Sequence, residues 1–131
     1  AGVQIGTRFI ATEECDAHPN FKQMMVDAKA EDVRIVASPV GMPARALYTP
    51  LLKRLESGEK FRALKCNNCL TACKKGDNIP YCISRALIEA VQGNVEDGLF
   101  FCGENVHRIE RIVTVEALMK EILEEAQRYG M

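Results

Sequence analysis

Two short stretches of this 131-residue chain combine residue types that bind or transform ligands. The first is Gly6-Thr7, which follows an alternating apolar and polar run at residues 3–5. The period of two predicts a strand, and residues 8–12 are typical of the first turn of a short helix. A Gly-Thr turn in that context directs backbone N–H groups to one point and adds a hydroxyl, which favours binding of a phosphate. The same residues are also compatible with an ordinary strand-to-helix turn.

The second stretch is a cysteine cluster that holds four of the six cysteines within seventeen residues. Three have C-x2-C-x3-C spacing and the fourth follows after eight residues: Cys66, Cys69, Cys73 and Cys82. Thiolates at these intervals can converge on one centre, and sulfur-only ligation suits zinc or an iron–sulfur cluster such as 4Fe–4S. Asn67, Asn68 and Thr71 would then donate hydrogen bonds to the sulfurs, and the lysines at positions 65, 74 and 75 would offset their negative charge. Unligated thiols or disulfides remain the alternative.

Four further side chains are candidates, and three of them have two interpretations. Cys15 and Cys102 are predicted to be small buried hydrophobic residues, although Cys102 also directly precedes Gly103. Arg45 is either an anion contact or a structural arginine paired with an acidic residue or a helix terminus. His107 is either an exposed or hydrogen-bonded histidine or a general base.

Composition limits the function classes. Apolar residues make up 47% and charged residues 27%, which is typical of a single soluble globular domain. The net charge of −1 gives no support for nucleic-acid binding, and no apolar run approaches the length of about 18 residues that a membrane span needs. No secretory signal is visible. The clustered cysteines suit a metal site better than a secreted disulfide scaffold, so we expect a cytoplasmic protein.

The remaining pattern predicts mostly helices. Pro19 begins a helix that runs to about Ala30, with Asp16 or His18 as its cap and an apolar i, i+3, i+4, i+7 stripe. Thr114 caps an amphipathic last helix whose apolar side we expect to pack on a core, as such stripes usually do, with an exposed face for a partner as the alternative. The other predicted elements are a strand at 33–37, a connector at 38–43, a helix at 48–55, a helix at 81–92 and a buried apolar run at 99–103.

The motifs as they stand in the sequence resemble the nitronate monooxygenase family, formerly called 2-nitropropane dioxygenase, which is related to the FMN-dependent enoyl-ACP reductase II enzymes. The resemblance is carried by residues 3–9, 11–14 and 18–22 and by residues 41–47, which are similar to the family's Gly-x-Pro-Ala-Arg segment. It resumes at residues 103–107, where many relatives have Gly-Gln-x-Ala-Gly. Glu104 replaces the glutamine there, and His107 replaces the last glycine.

The resemblance implies an α/β fold, namely the C-terminal part of a TIM (β/α)8 barrel flavoprotein. A complete barrel needs about 250 residues, so the earlier β/α units would be missing, and the visible chain would be mostly helical with a few short strands. Residues 1–60 would hold the last barrel strand, the phosphate-binding turn and the following helices. Residues 61–131 would hold the cysteine-rich segment and the C-terminal helices.

The resemblance also implies a function. Gly6 and Thr7, with Gln4, would bind the phosphate of FMN, and Gly103 would lie against the flavin region. The complete protein would be an FMN-dependent oxidoreductase that oxidises an alkyl nitronate, or, in the enoyl-ACP reductase II branch, one that reduces an enoyl thioester. A metal-binding or electron-transfer module built on the cysteine cluster is the alternative from a different class.

The expected partners are a small-molecule substrate and either the missing N-terminal part of the barrel or an oligomer partner. The sequence identifies no catalytic residue. We expect the chain alone neither to bind FMN tightly nor to turn over.

Overall fold

The computed structural model describes residues 2–60, 66, 68–71, 73 and 79–130. The helices are α1 (Thr7–Ile10), α2 (Pro19–Asp27), α3 (Pro50–Glu56), α4 (Ile83–Val91) and α5 (Val115–Arg128). The strands are β1 (Val33–Val36) and β2 (Ala44–Leu47), and two 3-10 turns cover Ala30–Asp32 and Val106–Arg108. The predicted α/β chain with many helices and a few short strands is therefore confirmed.

Strand β2 is the most heavily paired element in the described part of the chain. It forms an antiparallel hairpin with β1, in which Val33 lies opposite Leu47. Its other edge pairs with the apolar run at residues 99–102, because Leu47 N donates to Phe100 O at 2.9 Å and Cys102 N donates to Arg45 O at 3.1 Å. The sequence pattern predicted β1 and the connector after it, but it did not predict β2.

Two hydrophobic cores lie on opposite faces of this central layer. Successive residues of a strand point to opposite faces, and Ala46 packs in one core while Leu47 packs in the other. The neighbouring segment alternates in the same way, with Leu99 beside Ala46 and Phe100 beside Leu47. The buried members of the first core are Ala11, Phe21, Met25, Ala28, Leu47, Ala90, Phe100, Val106 and Ile109. Those of the second are Ala46, Leu51, Leu52, Tyr81, Ile83, Ala86 and Leu99.

Helix α2 begins as the sequence predicts. His18 is its N-cap, and its Nδ1 accepts a hydrogen bond from Asn20 N at 3.1 Å. The predicted apolar stripe faces the first core, with Phe21, Met25 and Ala28 buried. The helix ends at Asp27 rather than near Ala30, because Ala28 already has an extended backbone (ψ 135°).

Helix α4 is shorter than the predicted 81–92, since it begins at Ile83 and ends at Val91. Its buried residues are Ile83, Ala86 and Ala90, whereas Val91, predicted to be buried, is 51% exposed. The stop at Gly93 is as predicted, and this residue has the left-handed φ of +83° that favours glycine.

The predicted strand at residues 3–5 is wrong for the structure of this chain. Residues 2–6 have no regular secondary structure and are exposed, with Val3 at 79%. Alternation alone does not hold a strand, because its backbone N–H and C=O groups need a neighbouring strand. The following helix was predicted correctly, and α1 begins at Thr7.

Helix α5 has the predicted cap but not the predicted burial. Thr114 Oγ1 accepts from Ala117 N at 3.1 Å, and both carboxylate oxygens of Glu14 accept from Val115 N at 2.9 Å. Of its apolar side, only Leu118 is buried, and Leu123 is 57% exposed. Most of this side is therefore not buried in the described chain, which favours the alternative interpretation, an exposed face for a partner. None of the described helices combines the length and the apolar character that crossing a bilayer requires.

The contact between Gly93 and His18 gives a stability prediction. A Cβ at Gly93 would lie 2.3 Å from His18 Nδ1, so the imidazole would have to leave its capping position. We expect Gly93→Ala to lower the free energy of unfolding by about 2 kcal/mol, of which about half is left-handed strain and half the lost cap. Urea denaturation followed by circular dichroism measures the change.

The matched control is Gly58→Ala. Gly58 has a similar φ of +89°, and a Cβ there meets no described atom within 4 Å. This variant should therefore lose only the strain, about 1 kcal/mol. In a His18→Gly background, which also removes the His18 Cβ that would lie 2.9 Å from the new Cβ, Gly93→Ala should cost the same as Gly58→Ala. Equal losses for the two glycine variants in the parent protein would contradict the proposed contact.

Candidate functional site

The predicted Gly-Thr turn lies at the start of α1 and is open on one side. Phe9 N donates to Gly6 O at 3.0 Å, which closes the first turn of the helix. Gly6 itself is exposed, and a Cβ placed on it would meet no atom of the described residues within 4 Å. The backbone of this turn is therefore accessible to a ligand. Gln4, the third residue predicted for this site, lies in the exposed irregular stretch just before it.

Thr7 and Gly103 are joined directly. Gly103 N donates a hydrogen bond to Thr7 Oγ1 at 2.8 Å, although the two residues are 96 positions apart in sequence. A Cβ on Gly103 would lie only 3.3 Å from the same oxygen, so the close approach favours glycine. Because Oγ1 accepts from Gly103, the hydroxyl keeps its own hydrogen for donation to a second group.

Two backbone connections hold these residues in place. The pairing of β2 with residues 99–102 fixes the position of Gly103, which follows Cys102 directly. On the other side, Thr12 forms a parallel bridge with Val113, and Glu13 N donates to Val113 O at 2.9 Å. The start of the chain and the segment after residue 100 are thus aligned along a common edge.

Arg45 forms an ion pair next to this contact. Its Nε lies 2.7 Å from Glu104 Oε2, and the two side chains are 39% and 67% exposed. Of the two interpretations of Arg45, the structure therefore favours the arginine paired with an acidic residue. This acidic residue, Glu104, stands where many relatives have glutamine. The charge that it adds at this position is therefore paired with Arg45.

The remaining polar candidates are Cys102, His107 and Cys15. Burial raises the pKa of the Cys102 thiol from its ordinary value near 9 to about 11, opposed by Arg45 and reinforced by Glu104. At neutral pH this thiol is therefore protonated and a poor nucleophile. His107 is exposed in the 3-10 turn, and Cys15 is half-buried.

The four clustered cysteines are all free thiols, and the structure does not gather them. Cys66 and Cys69 are exposed, and Cys73 and Cys82 are half-buried. Within the described residues, no group of three or more His, Cys, Asp or Glu side chains is placed to hold a metal ion. The predicted hydrogen-bond donor Asn67 and the predicted charge partners Lys65, Lys74 and Lys75 lie outside the described residues.

A comparison with known sequences identifies the family. The profile of the nitronate monooxygenase family matches residues 1–125. The chain belongs to this family. It is 24% identical over 130 residues to a probable nitronate monooxygenase of Bacillus subtilis, covering 95% of the chain and 33% of that protein. A 62-residue segment is 36% identical to the 5-hydroxy-7a-methyl-1-oxo-octahydro-1H-indene-4-carboxyl-CoA dehydrogenase of Mycobacterium tuberculosis, covering 47% of the chain and 18% of that protein.

A solved structure of FabK from Thermotoga maritima is similar to this nitronate monooxygenase family member, with a TM-score of 0.73 and 29% identity. It matches over 98% of this chain and 37% of the FabK chain. The predicted affiliation with the TIM barrel is therefore confirmed, and the described fold corresponds to part of such a barrel. The chain spans about a third of the length of the Bacillus relative and of FabK.

Sequence reasoning identified the residues of the turn but missed the Arg45–Glu104 ion pair. The motifs placed residues 6–7 and 103–105 in one region, and the structure brings Thr7 and Gly103 into contact. The pairing of Arg45 with Glu104 depends on strand β2, which the pattern did not predict. The one sequence feature that indicated this ion pair was the glutamate at position 104, where many relatives have glutamine.

The raised pKa of Cys102 predicts slow alkylation. With a pKa of about 11, roughly one thiol in a thousand is ionised at pH 8. We expect its rate of modification by iodoacetamide to rise about tenfold per pH unit between pH 8 and 10, since only the thiolate reacts. Peptide mass spectrometry after timed labelling measures the rate at each cysteine separately.

The exposed Cys66 in the same sample is the internal reference, and it should be modified well before Cys102 at pH 8. A rate for Cys102 that reaches half its maximum near pH 8.5 would contradict the effect of burial.

Proposed function

We propose that this chain forms the phosphate-binding edge of the flavin site in an FMN-dependent oxidoreductase that oxidises alkyl nitronates. The observation that carries the proposal is the hydrogen bond from Gly103 to Thr7 Oγ1, which joins two segments that the family resemblance assigns to the flavin region. Membership of the nitronate monooxygenase family supports the reaction class.

The residues present fit the phosphate of FMN. The backbone at Gly6 is open to a ligand, and the Thr7 hydroxyl retains a hydrogen to donate to a phosphate oxygen. Hydrogen bonds to a charged phosphate are stronger than those between neutral groups. Gln4, exposed just before the turn, is the third proposed contact. When bound, FMN would supply the redox chemistry of the enzyme.

The chain's own contribution is to bind and orient. Thr7 is held by Gly103, so its hydroxyl is already positioned before a ligand arrives, which reduces the entropy lost on binding. The Arg45–Glu104 pair lies beside Gly103 and neutralises the arginine, so we assign Arg45 a positioning role and no direct contact with phosphate. We assign no catalytic residue.

A second candidate is the reductase branch of the same family, in which an enoyl thioester is reduced. The similarity to FabK and the matching segment of a carboxyl-CoA dehydrogenase support it. A nitronate monooxygenase consumes oxygen with its nitronate, whereas a reductase needs a nicotinamide and an enoyl thioester. Assaying both reactions on a polypeptide that carries these residues within a complete barrel distinguishes the branches.

We infer further that a larger assembly covers the exposed apolar side chains, in addition to the small-molecule substrate. Val3, Ile35 and Leu123 are 79%, 64% and 57% exposed, respectively. The relatives contain about two thirds of a chain beyond the matched region. That remaining part of the barrel, or an oligomer partner, is the proposed cover.

A cytoplasmic location is part of the proposal. All six cysteines are free thiols, and unpaired thiols persist in the reducing cytosol, whereas oxidising compartments favour disulfides.

The experiment uses the 131-residue chain labelled with nitrogen-15 and three ligands: FMN, riboflavin and inorganic phosphate. We expect FMN and phosphate to shift the amide signals of Gly6, Thr7 and Gly103, and riboflavin, which has no phosphate, to leave them unchanged. Thr7→Val should raise the dissociation constant for FMN about tenfold, because it removes one charge-assisted hydrogen bond.

Thr7→Ser is the matched control, because it keeps the hydroxyl and should retain the parent affinity. Absence of any shift at these three amides with FMN in millimolar excess would overturn the phosphate site. Equal shifts with riboflavin would also do so, since the contact would then not involve the phosphate.

A further inference from the structure

We propose that Cys66, Cys69, Cys73 and Cys82 form a four-thiolate centre for a soft metal, either a zinc ion or an iron–sulfur cluster. The common chemistry is tetrahedral coordination by sulfur, which these two kinds of centre share. The centre lies at the N-terminal end of α4 and is separate from the proposed flavin site.

The exposure of these thiols is the first observation. Cysteine is among the residue types most often fully buried, yet Cys66 and Cys69 are exposed and Cys73 and Cys82 only half-buried. None of the four forms a disulfide. Accessible free thiols are a liability that ligation of a metal removes.

The second observation is the backbone conformation of Asn68, between Cys66 and Cys69. Asn68 has a φ of +51°, and it is the one non-glycine residue with positive φ in the described chain. In this conformation Asn68 N donates to Cys66 Sγ at 3.5 Å. A backbone N–H directed at a sulfur stabilises its negative charge, which is the arrangement that a metal-bound thiolate needs.

The contact of Cys69 with α4 is the third observation. Cys69 Sγ lies 3.0 Å from Ser84 Oγ, and Ser84 belongs to the first turn of the helix that Cys82 precedes. The start of α4 is anchored in the second core by Tyr81 and Ile83, which are buried on either side of Cys82. Cys69 therefore already lies beside the start of the helix that Cys82 precedes.

The chemistry of the site follows from these positions. Each thiol that ligates a divalent ion loses its proton to solvent, and four thiolates around one zinc leave a net charge of −2. The positive end of the α4 dipole favours negative charge at that position. Since no three of these sulfurs are gathered in the described residues, we infer that metal binding itself brings them together, as in other small metal sites.

The test is the metal content of the 131-residue chain purified without oxygen and without chelators. Zinc, iron and acid-labile sulfide are measured together, and the chain is then reconstituted either with zinc or with iron and sulfide. About one zinc per chain without sulfide identifies the zinc centre, whereas about four iron and four sulfide per chain identifies a 4Fe–4S cluster. Either result supports the proposal.

Single Cys→Ser substitutions at the four positions locate the ligands. Each should weaken metal binding by at least about tenfold, because even the loss of a group hydrogen-bonded to a ligand lowers metal affinity about 10–100-fold. Cys15→Ser is the matched control, because Cys15 is a free, half-buried thiol outside the cluster, and it should keep the full metal content. Far-ultraviolet circular dichroism of each variant checks that the fold persists.

Three outcomes would overturn the proposal. The first is a chain that takes up neither zinc nor iron and sulfide on reconstitution. The second is metal retention by all four serine variants, and the third is an equal loss of metal in Cys15→Ser. Because flavin binding is measured at Gly6, Thr7 and Gly103, failure here does not affect the proposed phosphate site, and failure there does not affect this one.

Discussion

The pairing of β2 on both of its edges is the constraint on which the rest of the structure depends. A strand of four residues has few hydrogen bonds of its own, but this one is fixed by β1 on one side and by residues 99–102 on the other. Its alternation then assigns Ala46 and Leu47 to different cores. The same strand register places Gly103 at the end of this layer, where its N–H donates to Thr7. It also places Arg45 beside Glu104. The packing of both cores and the geometry of the candidate site are thus consequences of one short strand.

Elements with a strong local signal were predictable from the sequence. The proline and cap at the start of α2 and the threonine cap of α5 are local features, and the structure contains them where the sequence indicates. β2 was missed because Ala-Arg-Ala-Leu has little intrinsic preference for a strand, and its conformation comes from partners distant in sequence. The error at residues 3–5 is the converse. The alternation there is typical of a strand, but without neighbours to satisfy the backbone it does not form one.

The features of the candidate site also divide into those that the sequence predicted and those that depend on contacts distant in sequence. The motif residues placed Gly6, Thr7 and Gly103 in one region, and the contact between Thr7 and Gly103 agrees with this. The interpretation of Arg45 stayed open because an ion pair is decided by what lies opposite, and that depended on the unpredicted strand. The cysteine spacing likewise indicates which residues are able to share a metal. It does not fix the path of the intervening chain, so the proximity of Cys69 to Ser84 was not predictable.

The contact between Thr7 and Gly103 has a consequence for how the chain folds. It joins residues 96 positions apart, and Glu14 and Val115 are joined across 101 positions. Closing a loop of this length costs about 4 kcal/mol in chain entropy, a cost that is incurred once for all contacts that close the same loop. After Thr12 pairs with Val113, the turn at residues 6–7 is already confined near residue 103 at a high effective concentration. The ligand-binding edge is therefore expected to assemble late and cooperatively, as the last step of a folding order set by contacts between the two ends of the chain.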